Sequence, residues 1–319
     1  MRLLFCGTPQ FAVPTLKHLL AQPDFELLAV ITQPDRPSGR GQEVSFSSVK
    51  EVALAAKLPV HQPEKIRAPE VQALLQSYSP NFIVIIAYGQ IIPARLLPIP
   101  KHGWINLHAS LLPKYRGAAP MNWAIVNGET RTGITTMRID AGMDTGDILL
   151  EHALEIGPKE TAPELASRLS EAGAPLMAET LRGLVVGKIA PRPQNHSQAT
   201  LAPILKREDG RIDWNRTSTE IFNRMRGFAP WPGAYTTFRA QTCHLWGEPV
   251  SNELIPASGG IKNVPPGTLL LQKETLHVVC GGTTVLHVLA VKLEGRKQVS
   301  ASEFANGARL KTGELFGAT

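Results

Sequence analysis

Long uninterrupted apolar runs are missing from this sequence, and no stretch approaches the ~20 residues a membrane-spanning helix needs. The apolar opening is cut off by Gly7-Thr8-Pro9-Gln10, too early for the h-region and cleavage site of a signal peptide. It reads instead as a buried first strand, with a cytoplasmic location and no membrane partner expected. Cysteine is scarce. Cys6, Cys243 and Cys280 are odd in number and far apart, without a C-x-x-C pair. This argues against a disulfide framework and a structural zinc site, and leaves small buried apolar residues as the expectation. Two nucleotide signatures, G-x-G-x-x-G and G-x-x-x-x-G-K-[ST], are also absent, so hydride transfer and P-loop ATP hydrolysis drop out. There are no internal repeats and no long low-complexity segments.

What is present suits a folded chain of two domains. Of the 319 residues, 43% are hydrophobic and 19% charged. The net charge is +6, and residues 204–319 hold 14 basic against 10 acidic side chains, so the shorter region carries most of the excess. A moderately basic surface is compatible with RNA without requiring it.

The first half alternates short apolar runs with helical spacing, the mark of an α/β fold with a mostly parallel sheet covered by helices on both faces. Strands are expected at 2–6, 27–32, 82–87, 104–108, 135–139 and 148–152. Helices are expected at 11–21, 49–57, 69–78, 121–127 and 161–186. Between Pro191 and Pro203 the pattern dissolves into Pro, Gln, Asn, Ser and Ala. The expected division is therefore a first domain at 1–189, a linker at 190–205 and a second domain at 206–319. In the latter a helix at 218–226 precedes short runs at 234–238, 244–246, 268–271, 276–279 and 285–290, spaced as in a small β-barrel.

The chemistry concentrates in two segments. Asn106 and His108 are two apart at the end of a strand and so share a face. A carboxamide donor beside an imidazole can stabilise a developing oxyanion and move a proton. Taken alone, the pair is better explained by an Asn closing a turn and a His satisfied by backbone. The run Asp140-Ala141-Gly142-Met143-Asp144-Thr145-Gly146-Asp147 changes that balance, since any of its carboxylates can orient an imidazole. Spacing does not choose among Asp140, Asp144 and Asp147. Residues 33–48 form a long polar stretch that places Arg36 and Arg40 on a Gly/Pro frame.

These segments together resemble a known family. Asn106-x-His108, Ser110-Leu111-Leu112-Pro113, Arg116-Gly117 and Asp144-x-Gly146-Asp147 are similar to the signature of the 10-formyltetrahydrofolate-dependent formyltransferases. Phe5-x-Gly7-Thr8-Pro9-x-Phe11-Ala12, Thr32-Gln33-Pro34-Asp35-Arg36-Pro37-x-Gly39-Arg40-Gly41, Ile212-Asp213-Trp214 and Pro230-Trp231-Pro232-Gly233-Ala234 point within that family to its methionyl-tRNA branch. Gln42-Glu43 departs from the pattern where members often carry more lysine.

The resemblance implies a Rossmann-like formyltransferase domain joined to an oligonucleotide-binding (OB-like) barrel that takes tRNA. It also implies that the formyl group of 10-formyltetrahydrofolate passes to the α-amino group of initiator methionyl-tRNA. It picks Asn106, His108 and Asp144 as the catalytic set. Folate contacts are implied at Ser110, Leu111, Leu112 and Pro113, with the pterin near Tyr88, Gly89, Gln90 and Asp140. Arg36 and Arg40 would grip the acceptor stem. No metal is expected, and a monomer is the expected state. Three other readings stay open: a formyltransferase for an amino sugar or other small amine, a formyltetrahydrofolate hydrolase, and a non-catalytic RNA-binding protein on a relic scaffold.

Overall fold

The computed structural model describes residues 1–38, 43–250, 263–272 and 275–317. Arg40 lies outside them. The chain forms two compact units, one of Met1–Met121, Arg131–Ile156 and Glu164–Pro203, the other of Asn122–Thr130, Gly157–Pro163 and Ile204–Thr319.

The first unit contains β1 (Arg2–Gly7), α1 (Val13–Leu20), β2 (Glu26–Ile31), β3 (Arg36–Ser38), β4 (Glu43–Ser45), α2 (Ser48–Ala55), β5 (Val60–His61) and α3 (Pro69–Tyr78). After these come β6 (Phe82–Ile86), β7 (Trp104–His108), β8 (Arg116–Gly117), β9 (Arg131–Arg138), β10 (Ile148–Glu155), α5 (Ala162–Val185) and β11 (Leu201–Ala202), while α4 (Pro120–Val126) passes into the second unit after Met121. Seven strands make one sheet in the order β10-β9-β7-β6-β1-β2-β5. The five from β7 to β5 are parallel, β9 runs antiparallel to them, and β10 at the edge pairs antiparallel with β9.

Phe82, Ile83, Val84, Ile85 and Ile86 are all buried, as a central strand covered on both faces requires. Leu4, Cys6, Ala29, Ile31, Ile83 and Ile85 meet Val71 and Leu75 of α3 on one side. Alternation sends Leu3 and Phe5 to the other, where α1 and α2 lie. From β1 the chain steps outward through β2 to β5, then returns to place β6 on the opposite flank of β1. Such a reversal opens a crevice at the carboxyl ends of the strands, where sheets of this kind bind ligands.

Two stretches differ from expectation. Residues 33–48 include a small hairpin, with Arg36 opposite Ser45 and Ser38 opposite Glu43. Residues 190–203 are tied into the first unit: Arg192 exchanges two backbone hydrogen bonds with Ile148, and β11 pairs with β8. Strands this short give no alternation to read.

The second unit has α6 (Ser218–Gly227), β12 (Tyr235–Phe238), β13 (Gln241–Pro249), β14 (Leu269–Gln272), β15 (Thr275–Cys280), β16 (Thr284–Leu293), β17 (Val299–Ser300) and α7 (Ala301–Ala308). Its antiparallel sheet runs β12-β13-β16-β15-β14, with β17 beside β16. Within the sheet β12 and β14 do not pair. The segment after α7 bridges them, since Phe316 N–H donates to Gly267 O and Gly317 N–H to Thr237 O. Trp214, Phe238, Phe304 and Phe316 pack ring on ring inside. Helix α7, unforeseen in the sequence, starts at a reciprocal cap in which Ser300 Oγ accepts from Glu303 N and Glu303 accepts from Ser300 N.

Two excursions from the first half, 122–130 and 157–163, also belong to this unit. Asn122 donates to Gly227 O, and the buried Arg226 donates to Gly157 O and Glu160 O. All three cysteines are free and buried, and burial pushes the Cys243 and Cys280 thiols up to about 12. Among the described residues no helix is long and apolar enough to cross a membrane.

Candidate active site

Strands β6 and β7 end side by side, and their carboxyl ends, with the turn after β9, enclose a cavity of about 630 Å³. Its walls include Ile85, Ile92, Met137 and Ile139, and its rim takes in residues 87–91 and 140–144. Ile91 is 88% exposed and Met143 58%, so the mouth is apolar.

Asn106 and His108 lie on one face of β7 and both line this cavity. Asn106 sits between Ile85 of β6 and Met137 of β9. Among the described residues its carboxamide has no protein hydrogen-bond partner, which leaves it available to a ligand. His108 is buried, with Nε2 2.9 Å from Tyr115 O. A carbonyl only accepts, so Nε2 carries the hydrogen of that bond and Nδ1 looks the other way. There Asp144 Oδ2 stands 3.7 Å off, beyond hydrogen-bond length.

The three carboxylates of the turn separate by position. Asp144 lines the cavity, and its Oδ2 accepts the Gly117 N–H at 2.8 Å. Asp140 also lines it, but its oxygens are occupied with Gly142 N and Thr145 Oγ1, which fasten the turn. Asp147 is not among the lining residues. The backbone of Asp144 is left-handed at φ 54°, a conformation Asp tolerates better than most residues.

Around the rim, Tyr88, Gly89 and Gln90 all line the cavity. The Tyr88 ring is buried, and burial pushes its phenol up. Its carbonyl accepts from Thr8 Oγ1 and from Gln33 Nε2. Gln90 Oε1 accepts the Ile66 N–H at 2.7 Å. Ser110, Leu111, Leu112 and Pro113 do not line the cavity. Ser110 is fully buried and donates to Lys114 O, while Leu112 packs against Met137 and Ile148 and its N–H donates to Thr135 Oγ1. In this structure the segment shapes the turn below the cavity. Arg36, in the hairpin, is exposed beside Glu64 at 3.7 Å.

Sequence reading missed Gln194. It is 6% exposed and donates to the backbone carbonyls of Asp144 and Gly146. A buried polar residue within a Pro- and Gln-rich stretch has no signature in a single sequence. Among the described residues there is no group of three or more His, Cys, Asp or Glu able to hold a metal.

Comparison with known proteins bears on the same segments. The formyl transferase family model matches residues 1–181, and the model of the formyl transferase C-terminal domain matches 204–309. The methionyl-tRNA formyltransferase of Solibacter usitatus is 52% identical over 318 residues, covering 99% of both chains. That of Acidobacterium capsulatum is 50% identical over 319 residues and covers both completely, 100% of each. Among solved structures, a sugar 3N-formyl transferase crystallised with dTDP and 5-N-formyl-THF has a TM-score of 0.64 at 18% identity, over 93% of this chain and 99% of that one. HypX from Aquifex aeolicus, in complex with tetrahydrofolic acid, has a TM-score of 0.61 at 17% identity over 100% of this chain and 51% of its own. The structural neighbours share the fold, whereas identity of about half from end to end identifies kinship. The chain belongs to the formyl transferase family and, within it, to the methionyl-tRNA formyltransferases.

Proposed function

We propose that this chain transfers the formyl group of 10-formyltetrahydrofolate to the α-amino group of initiator methionyl-tRNA. The observation that supports it is the meeting of Asn106, His108 and Asp144 around one cavity, in a chain half identical to relatives bearing that activity in their name. The formyl oxygen gains negative charge as the amine adds to the formyl carbon. The unpartnered Asn106 carboxamide donates to that oxygen; loss of one such donor typically costs ~10²–10³-fold in rate.

The attacking nitrogen must shed a proton. With Nε2–H held by Tyr115 O, His108 presents Nδ1 as the acceptor, and Asp144 supports the charge that results from 3.7 Å away. The carboxylate is itself steadied by the Gly117 N–H. Collapse of the tetrahedral adduct then breaks the bond from the formyl carbon to N10, the proton taken from the amine is returned to N10, and tetrahydrofolate leaves; the folate is a co-substrate. Apolar walls between a backbone-rich rim and the Asp140–Asp144 turn suit a flat heteroaromatic ring with polar edges.

The acceptor stem is assigned to the stretch 33–48, through Arg36 and through Arg40, which lies outside the described residues. An exposed ion pair such as Arg36–Glu64 contributes little, so the guanidinium exchanges readily onto a phosphate.

The test is to follow a labelled formyl group from the folate. Purified protein is offered initiator methionyl-tRNA, elongator methionyl-tRNA, an amino-sugar nucleotide, or water alone. Label is expected on the initiator tRNA. Label appearing chiefly on the amino sugar, or as free formate, would overturn the reading.

A further inference from the structure

We propose that Gln194 is a positioning residue of the transfer centre, holding Asp144 in place through its backbone. The inference rests on the role assigned above to Asp144.

The segment carrying Gln194 is anchored on both sides. Arg192 exchanges two backbone hydrogen bonds with Ile148, and β11 pairs with β8. Between these anchors the carboxamide is fully used. Nε2 donates to Asp144 O at 2.8 Å and to Gly146 O at 2.7 Å, and Oε1 accepts from Arg116 Nε at 3.1 Å and Nη2 at 2.6 Å. Two donors and two lone pairs are all that a carboxamide has. What it clamps needs clamping, because Asp144 sits at φ 54° and such backbone persists only where its surroundings over-determine it.

The choice of amide over acid is informative. Arg116 is a cation only 7% exposed, and among the described residues no carboxylate pairs with it. Its other side-chain partner is His196 Nδ1 at 3.1 Å. A buried unpaired cation would favour glutamate at position 194. Glutamate cannot donate to two carbonyls, however, and would press a charged oxygen against them. The residue present is therefore the one that serves the Asp144 turn at the expense of the stronger partner for Arg116.

Gln194→Glu keeps the size and the acceptor for Arg116 while deleting both donors. It is expected to lower kcat roughly 10²-fold, the scale of a displacement near 1 Å at a reacting group, with KM for folate and charged tRNA within about twofold of wild type. Backbone amides of residues 142–147 should exchange with D2O faster, the rest of the chain being unchanged. Placed on Asp144→Asn, the same substitution should slow turnover little further, because it acts through a carboxylate already neutralised. If Gln194→Glu fails to fold, Gln194→Asn, one methylene shorter, is read by the same criteria.

Wild-type kcat in the folded variant, or a loss that multiplies with that of Asp144→Asn, would overturn the proposal. So would unchanged exchange at 142–147. A wild-type protein unable to transfer formyl would remove the proposed function, while the exchange measurement still decides whether Gln194 holds the turn.

Discussion

Replacing Gly117 with alanine tests the support of the candidate site from the opposite side. Its φ is +117°, a region that side-chain-bearing residues avoid, and an added Cβ would stand 2.7 Å from Ala202 O. Nothing flexible can yield, because that oxygen belongs to the backbone of β11 and also accepts the Ala119 N–H at 3.2 Å. The dihedral penalty and the clash each cost about 1–3 kcal/mol, so roughly 3 kcal/mol together is a conservative figure. In a unit of this size that lowers Tm by ~6–12 °C.

A second consequence is chemical. The Gly117 N–H holds Asp144 Oδ2 at 2.8 Å, a bond to a charged group that is worth about 1.5–3 kcal/mol. If relief of strain carries this N–H away, kcat should fall roughly 10–100-fold while the folate KM stays near its original value. Circular dichroism melts and steady-state formyl transfer on Gly117→Ala read both effects. A melt within about 2 °C of wild type would refute the strain argument. A lowered Tm with full turnover would refute the link to Asp144.

Three further outcomes are expected. His108→Ala and Asp144→Ala should fold, by their circular dichroism spectra, yet lose most formyl transfer; near-normal turnover from either would remove the assigned roles. Lys50, hydrogen-bonded to Asp35, holds that carboxyl below its usual 3.8. A depressed folded value means stability that is present above pH ~4 and lost as pH falls through the folded value. The urea midpoint of Asp35→Asn should therefore trail wild type at pH 7, the gap narrowing as pH falls below 3.8; a constant gap would contradict this. Finally, Arg36→Ala should raise the apparent KM for charged tRNA and flatten its dependence on salt, with the folate KM unchanged; the reverse pattern would contradict the RNA role.

The parts of the fold that could be read from sequence are those where one physical signal dominates. Phe82-Ile83-Val84-Ile85-Ile86 permits little besides a strand covered on both faces, and Asn106-x-His108 at a strand end must share a face. Residues 301–308 were legible but passed over: Ala301, Phe304, Ala305 and Ala308 form a helical apolar stripe behind the Ser300/Glu303 capping pair, yet three of the four are alanines and the stripe spans only two turns. The seam of the second sheet escaped for another reason: it depends on single hydrogen bonds from residues 316 and 317, which no local pattern encodes.

At the candidate site the limit was similar. Three acidic residues in one turn look alike in sequence, and the resemblance to a family singled out Asp144. The structure distinguishes them by what their oxygens touch, with Asp140 engaged by its own turn and Asp147 away from the cavity. Gln194 and Gly117 owe their interest to partners that distant segments bring to them.

That seam also carries a timetable. A chain is made in one direction, and Thr237 on β12 gains its bridge only when Gly317 exists to provide the N–H. At ~5–20 residues per second the β12 edge at Thr237, beyond the Tyr235 carbonyl that the Ile212 N–H already holds, is uncovered for roughly 4–16 s before its closure has been synthesised. Over that interval the nascent second unit presents an open strand edge and a gap where Phe316 will stack on Trp214, the two features that invite pairing with other chains. Demand for a chaperone during synthesis should fall on this half of the molecule, and shortening the chain before residue 314 would make that transient exposure permanent.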